Sequence, residues 1–169
     1  MLQGLHRSRL EAATANDSTE RDDADFVIPP LTAEQTQALL TAAHEAYDHS
    51  YVPYSKFPVG AAILTLPDST GQQRIIKGCN IENASFGLAI CAERVAITKA
   101  VSEGYRHFQA MAITAKHTSP CFCCGTCLQF IREFGAEIEI LFENPDGSVL
   151  HHNIGEMLPY AFTSDDLKQ

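Results

Sequence analysis

Two short runs hold residues that could do chemistry together: Cys91-Ala92-Glu93 and Cys124-Gly125-Thr126-Cys127. Each cysteine group falls where a helix is expected to start. There the unpaired backbone N–H groups and the positive end of the helix dipole stabilise thiolates. Two cysteines across one first turn can bring their sulfurs to a single ion, and Cys91 from the other helix start supplies a third. Three protein ligands leave the fourth tetrahedral position to water, the pattern of a catalytic zinc rather than a structural one. Glu93 is close enough to face that position without ligating. A carboxylate there takes a proton from water and passes it on, a service worth about 10² to 10⁴ in rate. Singly, these signals are weak: a lone CxxC serves redox or structural zinc as readily, Cys91 alone reads as an apolar filler, and Glu93 as a solvated helix residue. Jointly they are specific, because a non-ligating acid beside one cysteine has no use in a structural site. Three thiolates around a divalent cation leave a net charge of −1, a poor water acidifier. Helix N-termini offset part of that charge, and Arg94 offsets more if it donates hydrogen bonds to the sulfurs. Pro120-Cys121-Phe122-Cys123-Cys124 offers a second spacing, with Cys121 and Cys124 as the pair.

These residues need elements to position them. Thr32 with Gln35 makes a capping box, and Leu39, Ala43, Ala46 and Tyr47 recur at helical spacing, which predicts a helix over 32–49. Pro53-Tyr54-Ser55 interrupts it. Residues 59–66 and 74–79 read as strands around the Asp68-Ser69-Thr70-Gly71 turn. A second helix is expected over 91–103, stopped by Gly104, and a largely apolar, central strand over 108–115. A short helix over 126–134 ends at Gly135. Ile138, Ile140 and Phe142 alternate with Glu137, Glu139 and Glu143, which predicts a strand with one wet face. Asn144-Pro145-Asp146-Gly147 turns the chain into a last strand over 148–152. This order predicts a three-layer α/β/α sandwich around a mixed five-stranded sheet.

The 169 residues fit one domain over 29–169, preceded by a disordered tail over 1–28 that is polar, acidic and without apolar periodicity. Arg7 and Arg9 hint at a presequence, but acidic residues follow at once. A formal charge of −9 argues against a polynucleotide partner and suits a small neutral substrate. No run of residues is long and apolar enough for a membrane span. Four of the six cysteines crowd together and no signal peptide is apparent, which points to metal in a reducing, cytoplasmic setting rather than to disulfides. His44, His49, His107, His117, His151 and His152 fall in no zinc spacing and read as structural or surface residues.

From about Leu31 to Leu167 the sequence resembles the small, homotetrameric, zinc-dependent cytidine deaminases. The resemblance is carried by Pro53-Tyr54-Ser55-Lys56-Phe57-Pro58-Val59-Gly60-Ala61-Ala62, by Asn80 through Arg94, and by Cys124 to Cys127, Gln129 and Arg132-Glu133-Phe134-Gly135. It implies hydrolytic deamination of cytidine and 2′-deoxycytidine, with Zn²⁺ held by Cys91, Cys124 and Cys127 and with Glu93 as the proton shuttle. It further implies that Asn80 and Glu82 hold the ribose, that Phe57 packs on the pyrimidine, and that the Ala92 backbone meets the base edge. Phe162 resembles a residue that enters a neighbouring subunit's site, which implies a homotetramer with shared active sites. On pattern alone Phe57 and Phe162 are core or interface aromatics, and Asn80 and Glu82 are turn residues. The register of Gly125, Gln129 and 132–135 favours Cys124 and Cys127 over Cys121. The chain departs from the family at Cys123, where Pro is usual, at Leu128, where Arg is usual, and at Phe86, where Tyr is commoner. Two other readings fit parts of the pattern. One is deamination of another aminopyrimidine compound, such as an aminonucleoside antibiotic; the other is a structural zinc in a catalytically dead interaction protein.

Overall fold

The computed structural model describes residues 28–168. Apart from Ile28, the tail expected over 1–28 lies outside the described residues. In chain order the elements are helix α1 (Ala33–Tyr47), strands β1 (Val59–Thr65) and β2 (Ile75–Cys79), a short 3-10 turn (Phe86–Leu88), helix α2 (Ala92–Ser102) and strand β3 (Phe108–Ala115). Helix α3 (Gly125–Arg132), strands β4 (Glu139–Glu143) and β5 (Val149–Asn153), helix α4 (Ile154–Met157) and a final 3-10 turn (Ser164–Leu167) follow.

Local chemistry accounts for the boundaries. Thr32 Oγ1 accepts from Gln35 N at 3.1 Å while Gln35 Oε1 accepts from Thr32 N at 2.9 Å, which fixes the start of α1. Between β1 and β2, the Asp68 carboxylate accepts from the backbone of Thr70 (2.8 Å) and Gln72 (3.0 Å) and closes the turn. Gly104 ends α2 with φ +98°, a conformation that glycine adopts without strain.

The five strands lie in the order β2-β1-β3-β4-β5. All neighbours are antiparallel except β3 and β4, which run parallel and are joined through α3. Helix α1 covers one face, packing Leu39, Leu40 and Ala43 on Ala62, Leu64, Ala110, Ala112 and Leu141. The other face carries α2, α3 and α4, with Ala96, Ile97, Leu128, Ile131 and Ile154 packed on Ile63, Met111, Ile113, Ile140 and Phe142. The architecture is a three-layer α/β/α sandwich with a mixed sheet. One expectation needs correction. Strand β4 has no wet face: Leu141 is fully buried under α1, and Glu139 and Glu143 stand at the strand ends, where they meet His151 and His44. The alternation of Glu with Ile and Phe disguised a strand whose middle is covered on both sides.

Helices approach the sheet closely where it carries no side chain. A Cβ on Gly60 would stand 2.0 Å from Ala43 O in α1, and one on Gly78 would stand 2.4 Å from Ala96 N and 2.6 Å from Ala92 O in α2. The second contact matters most, because α2 begins at Cys91. Gly78→Ala is expected to force α2 off β2, at about 1–3 kcal/mol of stability, with weakened zinc retention. Gly87→Ala, whose new methyl meets nothing within 4 Å, should leave both unchanged; thermal unfolding with and without added zinc checks the pair.

Candidate metal centre

At one end of the sheet β2 and β3 finish and β1 begins. The chain leaving β2 reaches the N-terminus of α2, and the chain leaving β3 reaches the N-terminus of α3, both on the same face. Cys91 is the extended N-cap of α2 (φ −71°, ψ 154°) and Cys124 that of α3 (φ −76°, ψ 158°). Neither thiol bonds to its own helix start, so both are free to turn toward the gap between the helices. Cys127, fully buried in the first turn of α3, completes a trio whose Sγ atoms all lie within 4.8 Å of one another. Zn–S bonds of about 2.3 Å in a tetrahedron put sulfurs about 3.8 Å apart. An all-sulfur donor set at this spacing, opening two helices at their positive ends, therefore fits zinc.

Without a cation the trio shares its protons unequally. The Cys91 thiol is lowered to about 5, chiefly by a hydrogen bond from Cys127 and, against the opposing effect of burial, by Arg94. Cys127 gives that hydrogen bond and is held far above the usual thiol range by it and by burial. The hydrogen bond from Cys127 thus favours the thiolate at Cys91 over that at Cys127. Arg94 Nη2 donates to Cys91 Sγ at 3.4 Å and to Ala89 O at 3.4 Å, and its guanidinium is held more firmly charged by the sulfur.

Cys121 and Cys123 stand outside the trio, packed against the core beneath α3. Burial pushes the Cys121 thiol up to about 11 and the Cys123 thiol higher. The pair that joins Cys91 is therefore Cys124 with Cys127. Leu128 is only 9% exposed and belongs to the same apolar layer.

Glu93 stands two residues into α2, 4% exposed. Burial first, then the charge on Cys91, raises its carboxyl above the usual range. Ala92 is fully buried beside it.

The remaining residues singled out from sequence lie on the loops around the trio. Asn80 Nδ2 donates to Phe57 O and Asn80 Oδ1 accepts from Val59 N, each at 2.9 Å. Glu82 Oε2 accepts from Tyr54 N (2.9 Å) and Ser55 N (3.2 Å), and the Ser55 hydroxyl helps hold this carboxyl below its ordinary range. Both side chains brace the 53–59 loop that carries half-buried Phe57. Beside them a cavity of about 410 Å³ is lined by Tyr54, Ser55, Glu82, Asn83, Phe86 and Ala89. Its link to the sulfurs is Arg94, which bonds both Ala89 of the cavity wall and Cys91. Of the lining residues only Glu82 was given a substrate-binding role from sequence; the others lie in the same two blocks of resemblance, about thirty residues apart, and share no spacing. Phe162 is not brought to this cavity. Its ring is 59% exposed, and its backbone is held by Gln129 of α3. His44, His151 and His152 meet Glu143, Glu139 and Glu156 at the surface, away from the trio.

Residues 33–142 match the family described as the cytidine and deoxycytidylate deaminase zinc-binding region. A cytidine deaminase of Sporosarcina psychrophila is 42% identical over 132 residues, which cover 78% of this chain and 93% of that protein. A probable cytidine deaminase of Dictyostelium discoideum is 39% identical over 141 residues, 81% of this chain and 90% of that one. The crystal structure of a cytidine deaminase from Burkholderia pseudomallei superposes with a TM-score of 0.68 at 40% identity, covering 78% of this chain and all of the other.

Metal content separates the ligands from their neighbours. Serine at Cys91, Cys124 or Cys127 is expected to abolish stable zinc binding, whereas Cys121→Ser should still hold about one zinc per chain. Because Cys127 must give up a firmly held proton, zinc affinity should rise with pH. Competition with a chromophoric chelator at about pH 6 and about pH 8 checks the direction, and proton release on binding checks the cause.

Proposed function

Starting from the fact that the chain belongs to the cytidine and deoxycytidylate deaminase zinc-binding family, we propose that Glu93 is its proton shuttle and that Cys91, Cys124 and Cys127 hold its zinc. The reaction is hydrolytic deamination: cytidine and water give uridine and ammonia. The observation that carries the assignment of roles is the convergence of three sulfurs at two helix starts with one buried, non-ligating carboxylate beside them.

Bound by these sulfurs, zinc supplies a Lewis acid that lowers the pKa of a water molecule toward neutrality. Glu93 does the rest of the proton work. Its carboxylate accepts the water proton and delivers it to N3 of the pyrimidine as oxygen adds at C4. It then takes the proton of the new C4 hydroxyl and carries it to the exocyclic nitrogen, which leaves as ammonia as the C4 carbonyl forms and the C4–N bond breaks. The low exposure of Glu93 keeps bulk water from competing for these protons and holds its carboxyl above the usual range, nearer to the working pH. Arg94 counters the surplus negative charge of the thiolates by bonding Cys91.

Glu82 and Asn80 are assigned to the sugar. The Glu82 carboxylate, kept ionised, accepts from the ribose 3′-hydroxyl. Asn80 has one amide hydrogen and one lone pair beyond its bonds to the 57–59 backbone. Phe57 packs on the base and the Ala92 backbone meets its edge. The contact assigned to Glu82 uses the 3′-hydroxyl, which cytidine and 2′-deoxycytidine share, and this supports turnover of both. We assign the activity to residues 29–169, with 1–28 dispensable, and the enzyme to a cytoplasmic pyrimidine-salvage role; six unpaired thiols support a reducing compartment. Among the described residues no helix is long and apolar enough to cross a membrane. Exposed Phe86, Leu88, Tyr160 and Phe162 support assembly into a homotetramer in which Phe162 enters a neighbour's site.

Incubation of the zinc-loaded chain with cytidine should bleach the cytosine absorbance with equimolar release of ammonia. Glu93→Gln should keep its zinc and lose at least about 10²-fold in kcat; near-normal turnover by that variant would remove Glu93 from the mechanism.

A further inference from the structure

The side chain of Gln129 makes a two-point bond to one distant residue. Its Nε2 donates to Phe162 O at 2.7 Å, and its Oε1 accepts from Phe162 N at 3.3 Å. A carboxamide offers one donor edge and one acceptor edge side by side, and here both are used on the C=O and N–H of a single residue, as a paired strand would use them. Gln129 lies two residues beyond Cys127 on α3. The metal-binding helix and the C-terminal segment are thereby joined across 33 positions of sequence.

The segment held in this way has little else to fix it. Between α4 and the last 3-10 turn, residues 158–163 form no helix or strand. The Leu158 N–H bonds back to Ile154 O, and Thr163 begins the next turn through Asp166. Between those anchors the segment carries Tyr160, 97% exposed, and Phe162, 59% exposed. Two large aromatic side chains thus project from a short irregular stretch that Leu158 seats on the core and Gln129 ties to α3.

We propose that Gln129 is a positioning residue for the reaction. By clamping the backbone of Phe162 to the zinc-bearing helix, it aims the Phe162 ring outward, in fixed register with the metal centre, for use in the site of a second copy of this chain. The inference rests on the reading of Phe162 as a cross-subunit element and adds what holds it there. Gln129 touches neither substrate nor metal, so its removal acts through Phe162. Substrate affinity and assembly should suffer, while zinc content and the proton chemistry of Glu93 should not.

The test compares Gln129→Met, which keeps the length of the side chain and deletes both hydrogen bonds, with Phe162→Ala and the double variant in the full-length, zinc-loaded enzyme. Gln129→Met is expected to keep about one zinc per chain, to raise KM for cytidine about tenfold with a smaller change in kcat, and to shift sedimentation toward smaller species. Amide exchange at residues 158–163 should quicken. In the double variant the effect of Gln129→Met should vanish, because the ring it positions is gone. Gln129→Glu, which keeps the acceptor and loses the donor, should fall between. If Phe162→Ala alone changes neither KM nor assembly, the cross-subunit reading fails and this inference with it. If Phe162→Ala is damaging but Gln129→Met leaves KM and assembly intact, only the clamp is overturned. Loss of zinc by Gln129→Met, or full additivity with Phe162→Ala, would likewise overturn it, since either places the role of Gln129 in the metal helix itself.

Discussion

The structure depends on resolving one electrostatic conflict: three cysteine sulfurs, one of them fully buried, must be brought together to hold a cation as thiolates. Two thiolates in contact repel each other, and burial penalises each charge. The fold answers with two helix N-termini. Cys91 and Cys124 cap α2 and α3 from extended backbone, so the free N–H groups of two first turns face the sulfurs, and Arg94 adds a full positive charge against Cys91. Cys127 contributes its proton to the same balance by donating to Cys91. A cation held by the three sulfurs would offset the same repulsion, which suits this arrangement to metal binding.

Everything farther out fixes the relation between those two helix starts. Helix α2 is held at van der Waals limits by Gly78, and α3 lies over the parallel β3–β4 pair that its own crossover creates. On the opposite face, small residues Ala62, Ala110 and Ala112 let α1 pack close and cover the sheet. A stiff sheet between two tightly seated layers leaves the N-termini of α2 and α3 little room to part. Precision at the site is a consequence of close packing some distance from it.

Most of this was legible in the sequence. The capping box at Thr32 and Gln35, the stop at Gly104 and the helical spacing of Leu39, Ala43 and Ala46 all report local interactions, and local interactions are what a pattern records. The sulfur trio was legible for a similar reason, since each helix start announces itself and the CxxC lies within one turn. Two kinds of feature were not. Strand β4 looked half-wet because its glutamates alternate with Ile and Phe, yet whether Leu141 is covered depends on α1, about a hundred positions earlier. The clamp from Gln129 to Phe162 and the cavity wall formed by Tyr54, Ser55, Asn83 and Phe86 are contacts between distant segments. No spacing rule reaches them.

Cys123 and Leu128 belong to one apolar layer beside the metal centre. A charged group at 128 would lie where Leu128 now packs among Ile131, Ile113 and Phe142, with Cys123 against the same cluster. Among the described residues the guanidinium bonded to these sulfurs is that of Arg94, so the charge balance falls on the helix N-termini and on one hydrogen bond to Cys91. Leu128 adds hydrophobic packing instead, at about 25 cal/mol for each Å² of apolar surface withdrawn from water. Zinc retention in this chain should therefore be more sensitive to the seating of α2 and α3 than it would be with a second cation beside the sulfurs. That places the close contact at Gly78 and the buried face of α3 within the machinery of the metal site, although neither touches the ion.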